Sequence, residues 1–170
     1  MNYAHSTLTL LLLSACGRGT PCEESTDCGS TEVCVQETCA YAFDRFYDVV
    51  IIRSEVPNTN ADGGAWDDGS NAPDPFAEVG FSGSGEGCFT PTVFDTTEPF
   101  WEEICPIWVP DHGTFLVNVW DEDVGSEDQF IAGFYWEGAA SFIDLLKSDG
   151  NAISVRDEYD SATLELTFLP

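Results

Sequence analysis

Basic side chains are almost missing from this sequence: five Lys and Arg stand against 31 Asp and Glu, for a formal net charge of -26 over 170 residues. Such a chain repels polyanions, which excludes nucleic acid as a partner. Histidine is scarce as well, with only His5 and His112, and His112 lies in the turn-like PDHGT. No nucleophile and base pair can be assembled around it, so an enzyme is not expected. No apolar run reaches the roughly 20 residues of a helical membrane span. The length has room for one ordinary domain and a short appendage, and a 43% hydrophobic content with five Trp can fill one core. Taken singly, most of the carboxylates read as groups that keep a surface protein soluble, so their positions have to separate ligands from solvation.

Residues 1–15 contain no Asp, Glu, Lys or Arg and carry a short apolar run from Leu8 to Leu13, broken by Thr9. This is the pattern of a signal peptide, although MNYAHST ahead of the run lacks the usual Lys or Arg. The run closes on Leu13, Ser14, Ala15 and Cys16, which resembles the lipobox of bacterial lipoproteins. That resemblance implies lipidation of Cys16 and a chain anchored by lipid in the bacterial cell envelope, at the outer membrane or the cell surface. Cysteine arithmetic agrees with export, because setting Cys16 aside turns seven Cys into six.

Four of the six, Cys22, Cys28, Cys34 and Cys39, fall in residues 16–40, a spacer with hardly any apolar side chains. It cannot fold on a core of its own. The gaps of five, five and four residues are unlike the paired short gaps of zinc sites, so two disulfides are expected. Spacing does not choose among the three pairings; Cys22 with Cys34 and Cys28 with Cys39 is preferred. Cys88 and Cys105 are expected to form a third bridge across the sandwich edge, with their two strands pairing out from the intervening loop.

From Tyr41 onward short alternating or apolar runs are separated by Gly, Pro, Asn and Asp, which predicts an all-β domain over residues 41–170. The clearest strands are 48–56, 74–81, 88–94, 101–109, 114–120, 129–136 and 163–169, with one helix at 139–150. Seven or eight antiparallel strands in this length mean a sandwich, preceded by the short disulfide-rich segment.

Carboxylates concentrate in two stretches, WDDGSNAPDPF (66–76) and WDEDVGSEDQF (120–130). Asp121 and Asp123 stand two apart at the end of an alternating strand and project to one side. Held that close they repel each other unless a cation lies between them. Calcium suits such hard oxygen donors, whereas zinc would want His or Cys.

The order of these segments resembles a C2 domain, the calcium- and phospholipid-binding sandwich. Asp74-Pro75-Phe76 opens an apolar strand, TPTVFDTTEPFWEE spans 90–103, an apolar strand runs into Asp121-x-Asp123, and FIAG occupies 130–133. Thr96, Pro99, Trp101 and Glu103 match the family's T-x-N-P-x-W-N-E, with Glu98 and Glu102 where Asn is usual. The resemblance implies an eight-stranded sandwich that binds calcium through Asp68, Asp74, Asp121 and Asp123, with backbone carbonyls of Asp67 and Glu122 as further donors. A fifth Asp is expected at position 129, which is Gln129; its neighbour Asp128 is the candidate replacement. It also implies contact with anionic phospholipid, Trp66 and Val124 being placed as membrane-dipping tips, with inward packing the alternative for Trp66. A lysine-rich lipid patch is absent. The rival expectation is a scaffold or adhesion module, stiffened by calcium or free of it, that binds an envelope protein or glycan. A monomer is expected in either case. One clear strand precedes the first acidic loop and TLELTFL closes the chain, so the type II strand order is expected.

Overall fold

The strand Thr114–Asp121 shows how the sequence builds the fold. Phe115, Val117, Val119 and Asp121 are buried, while Leu116, Asn118 and Trp120 between them are partly exposed. That period of two places one face of the strand on a core. The computed structural model describes residues 19–66, 72–82, 87–123, 127–159 and 161–169. In chain order its elements are β1 (Glu32–Val35), β2 (Thr38–Tyr41), β3 (Arg45–Glu55), β4 (Pro75–Phe81), β5 (Gly87–Phe89), β6 (Phe100–Val109), β7 (Thr114–Asp121), β8 (Gln129–Glu137), α1 (Gly138–Leu146), β9 (Ile153–Arg156) and β10 (Thr163–Leu169).

Strands β3 to β10 form two four-stranded antiparallel sheets, in the orders β6-β3-β10-β9 and β5-β4-β7-β8. Val49, Ile51, Leu164, Leu166 and Phe168 of the first sheet and Val79, Val117 and Val119 of the second are buried in one shared core. The last strand, β10, lies between β3 and β9, with Thr163 opposite Glu55 and Leu169 opposite Asp48. Residues 45–47 lengthen β3 rather than forming a strand ahead of it.

Strand direction sorts the connections. The described parts of 56–74, 90–99, 122–128 and 157–162 lie at one pole, and 110–113 and α1 lie at the other. There α1 inserts Phe142 between Phe115 and Phe168, with ring centroids 4.9 Å and 5.2 Å away. Tyr47 is buried nearby with its hydroxyl donated to the Ala42 carbonyl at 2.8 Å. Burial pushes its phenol up to about 12, against the opposing charge of Arg45.

Several elements differ from the sequence expectation. The strand at 88–94 shortens to Gly87–Phe89, because Thr90 replaces a ladder contact with its side chain, Oγ1 accepting the Ala77 N–H at 2.8 Å, and Pro91 has no N–H to offer. The helix stops at Leu146, well before Gly150. Strand β9 is too short, at four residues, to announce itself. Cys88 and Cys105 are bonded with Cα atoms 5.6 Å apart, but β5 and β6 do not pair: they edge different sheets, so the bridge staples sheet to sheet. Closing that loop contributes about 3 kcal/mol. The Cys-rich segment forms the β1–β2 hairpin, closed by Cys22–Cys34 and Cys28–Cys39, and it buries Val33 in the common core.

Candidate functional site

The alternation that fills the core from β7 also delivers a carboxylate to the pole where the acidic loops lie. Asp121, 0% exposed, takes the last inward position of the strand. Its Oδ1 accepts the backbone N–H of Asp74 at 2.6 Å, which ties the third loop to the first. Asp74 repeats the device: its Oδ1 accepts the N–H of Asp95 at 2.6 Å, which ties the first loop to the second. Its carbonyl accepts the Glu122 N–H at 3.1 Å. Asp95 holds a left-handed backbone, φ 53°, which a short acidic side chain tolerates. Thr92 of the same loop donates its hydroxyl to the Glu122 carboxylate. Three loops are thus braced by carboxylates that each grip a neighbour's backbone.

Asp123 is met from the far side of its loop. Gln129 Nε2 donates to Asp123 Oδ2 at 3.0 Å and approaches the Trp66 carbonyl at 3.4 Å. Asp128 is exposed and accepts the Asp123 backbone N–H at 3.3 Å. Of the two candidates for the fifth ligand position, Gln129 therefore reaches the Asp123 carboxylate, and Asp128 is occupied on backbone. An amide donor against a carboxylate supplies some of the neutralisation that a cation would otherwise give.

Asp67, Asp68, Val124 and Cys16 lie outside the described residues. Trp66 is 5% exposed and donates Nε1–H to the Pro57 carbonyl at 2.8 Å, so it packs inward and is no exposed tip. Among the described residues, large side chains exposed at this pole include Phe94, 66% exposed in the loop of Asp95, with Phe100, Phe130 and Tyr159. The sequence reading matched the second-loop stretch 90–103 but missed Asp95 within it. Its signal was present, since Asp95 stands four residues before Pro99 in the stretch 90–103.

By donor type the pole fits a hard cation: its side chains offer carboxylate oxygens, and a carboxylate that accepts one N–H keeps lone pairs for an ion. Among the described residues no three carboxylates bring oxygens within 4.8 Å of one another; the one such grouping is Cys22, Cys28 and Cys39, whose sulfurs are committed to disulfides. A calcium site here would draw on Asp74, Asp121 and Asp123 together with the first-loop Asp68.

A fourth loop at this pole is internally closed. Asp157 accepts the Ser161 hydroxyl at 2.6 Å, the Ser161 N–H at 2.7 Å and the Ala162 N–H at 3.0 Å. Burial pushes its carboxyl up, but the Ser161 hydroxyl and the N–H groups of Ala162, Ser161 and Tyr159 together outweigh that and hold it below the ordinary range. His112 is exposed at the opposite pole, where its bond to Asp111 at 2.6 Å, with that residue's charge, raises its pKa. Among the described residues no helix is long and apolar enough to cross a membrane.

A rigid antiparallel sandwich with acidic loops at one pole defines a β-sandwich module that presents its loops. The family is more specific, for the sequence model of the C2 domain matches residues 51–142. The chain belongs to the C2 domain family. Among solved structures, human GIVD cytosolic phospholipase A2 in complex with methyl gamma-linolenyl fluorophosphonate is similar at a TM-score of 0.58 and 18% identity, over 73% of this chain and 16% of the phospholipase chain. A calcium-bound pair of C2 domains from extended synaptotagmin 2 matches at 0.55 and 13%, over 74% of this chain and 45% of that one. A single C2 domain of plant extended synaptotagmin 1 matches at 0.53 and 18%, over 75% and 95%. At these identities the likeness concerns the fold. This chain spans about a sixth of the phospholipase's length. No curated protein sequence matches the chain.

Proposed function

We propose that this protein is a calcium-binding C2 module, not an enzyme, that is tethered to the bacterial cell envelope through lipid on Cys16 and makes calcium-dependent contact with anionic phospholipid. The observation that carries the reading is the bond by which the Asp121 carboxylate of the third loop holds the Asp74 backbone of the first, at the pole where Phe94 is exposed. Asp74, Asp121, Asp123 and Asp68 would hold the ion, with the backbone carbonyls of Asp67 and Glu122 as additional donors. Calcium bound there supplies positive charge that joins the acidic loops to lipid phosphate. The five Lys and Arg are dispersed along the sequence, so there is no lysine-rich run to do this by itself. Phe94 and Phe100 then offer the apolar contact expected of Trp66.

The bracing of the loops favours a second reading, a scaffold that binds an envelope protein or glycan without an ion. Backbone N–H groups already satisfy part of each carboxylate's demand. Sedimentation with phosphatidylserine vesicles separates the two: co-sedimentation in millimolar calcium that EDTA reverses is expected. Equal sedimentation with and without EDTA, or none in either, leaves the scaffold.

A further inference from the structure

The Cys-rich segment reads in sequence as a spacer, yet it is docked on the sandwich. Ser25 is 1% exposed, and its backbone N–H reaches both oxygens of Asp149, at 3.1 Å and 3.0 Å. Its hydroxyl also donates to Asp149 and accepts the Cys34 N–H at 2.9 Å. Lys147 donates to the Gly29 carbonyl at 2.8 Å. Val33 enters the core of the sandwich. Each of these contacts is at the pole of α1: Gly150, beside Asp149, lies against Leu169 at the end of β10, and the hairpin leads directly into the start of β3. The acidic loops are at the other end of β3, whose 11 residues put the poles about 33 Å apart at roughly 3.3 Å per residue.

We infer that this docking makes the protein act in trans: held through its N-terminus, it turns the acidic loops away from the surface it is attached to and toward a second one. The inference rests on the proposed reading of those loops as calcium-dependent lipid contacts. An undocked flexible spacer of about two dozen residues would have a mean reach near 27 Å, enough to let the sandwich turn over and apply its loops to its own membrane. A docked one removes that freedom. The segment is cross-linked internally by Cys22–Cys34 and Cys28–Cys39, and it is joined to the sandwich by the Ser25–Asp149 bonds, which two substitutions remove, by the Lys147 bond to Gly29 and by the burial of Val33.

The test holds the chain from Gly17 by an N-terminal histidine tag on vesicles that carry nickel-chelating lipid and phosphatidylserine. Labelled phosphatidylserine vesicles without nickel lipid are then added in millimolar calcium. Capture of the second vesicles, with turbidity that EDTA reverses, is expected; the variant S25A/D149A should lose more than half of the capture while the untethered variant co-sediments as the wild type does. If the untethered wild type co-sediments but the tethered protein captures nothing, the loops have turned to their own membrane and the inference is overturned. If the untethered protein fails to co-sediment, the lipid reading falls, and orientation is read independently. A dye at Asp62→Cys, exposed in the first loop, should transfer energy weakly to acceptor lipids in the tethering membrane and more strongly in S25A/D149A. Strong transfer in the otherwise wild-type chain would overturn the docking orientation whatever the loops bind.

Discussion

At the pole of α1, Phe142 packs 4.9 Å from Phe115 and 5.2 Å from Phe168, and two disulfides close the adjoining hairpin. At the acidic pole Asp121 and Asp74 hold three loops by hydrogen bonds to backbone N–H. The first arrangement rests on apolar burial and covalent bonds, which respond weakly to ions or moderate pH. The second rests on charged groups whose mutual repulsion is built into the loops, so its stability depends on what neutralises them. One sandwich therefore carries an inert end and a responsive end. The strands between them belong to both.

The sharpest way to break the contrast is to damage the inert end. Phe142→Ala should cost about 3–5 kcal/mol in denaturant unfolding, through lost transfer energy and a cavity among the rings. Because the acidic loops are remote from it, the calcium response of the variant should keep its size. A calcium response that shrinks in step with stability would show that the poles are not independent.

The next largest effect is at the responsive end. With a dissociation constant of roughly 0.1 mM and about 1 mM calcium, binding adds RT ln(1 + 10), or about 1.4 kcal/mol, a few degrees of melting temperature. The pair Asp121→Asn with Asp123→Asn should erase the shift measured by calorimetry. Without calcium the pair should be as stable as the wild type, because an Asn oxygen still accepts the Asp74 N–H while the repulsion is gone. Gln129→Asp should tighten calcium binding and lower calcium-free stability, since it replaces a donor to Asp123 by a third negative charge. No heat and no melting shift at 5 mM calcium would end the calcium assignment.

The smallest effect separates the fourth loop from the other three. Asp157 titrates below the ordinary value of 3.8, so its contribution is complete above that value and is lost as pH falls through its lower, folded one. Asp157→Asn should cost on the order of 1 kcal/mol at neutral pH and flatten the acid limb of a stability-versus-pH curve, with calcium affinity unchanged. A change in calcium affinity would place Asp157 with the other loops.

Much of this was legible in the sequence because it depends on short periods. The alternation in TFLVNVWD and TLELTFL marked the strands, their inward residues and the projection of Asp121. Asp74 and the second-loop segment were legible from motif order. What escaped depends on contacts between distant positions. Nothing in a neutral Ser25 announces Asp149, 124 residues away, so docking of the Cys-rich segment was unreadable. Gln129 looked like a missing ligand, and only the fold shows its amide laid against Asp123. Trp66 gave no sign of its direction until Pro57 provided a carbonyl for its ring nitrogen.

Strand β3 is hydrogen-bonded on both sides, to β6 and to β10, over most of its length. The chain enters it from the docked hairpin and leaves it into the first acidic loop. A pull applied between the N-terminal attachment and a partner gripped by the loops would run parallel to this strand. Its ladder bonds would then carry the force together in shear rather than break singly like a zipper. Under such a load lifetime follows the unfolding rate rather than the equilibrium stability. Between two surfaces that drift apart, this geometry makes the grip of the loops, and not the sandwich, the link that yields first.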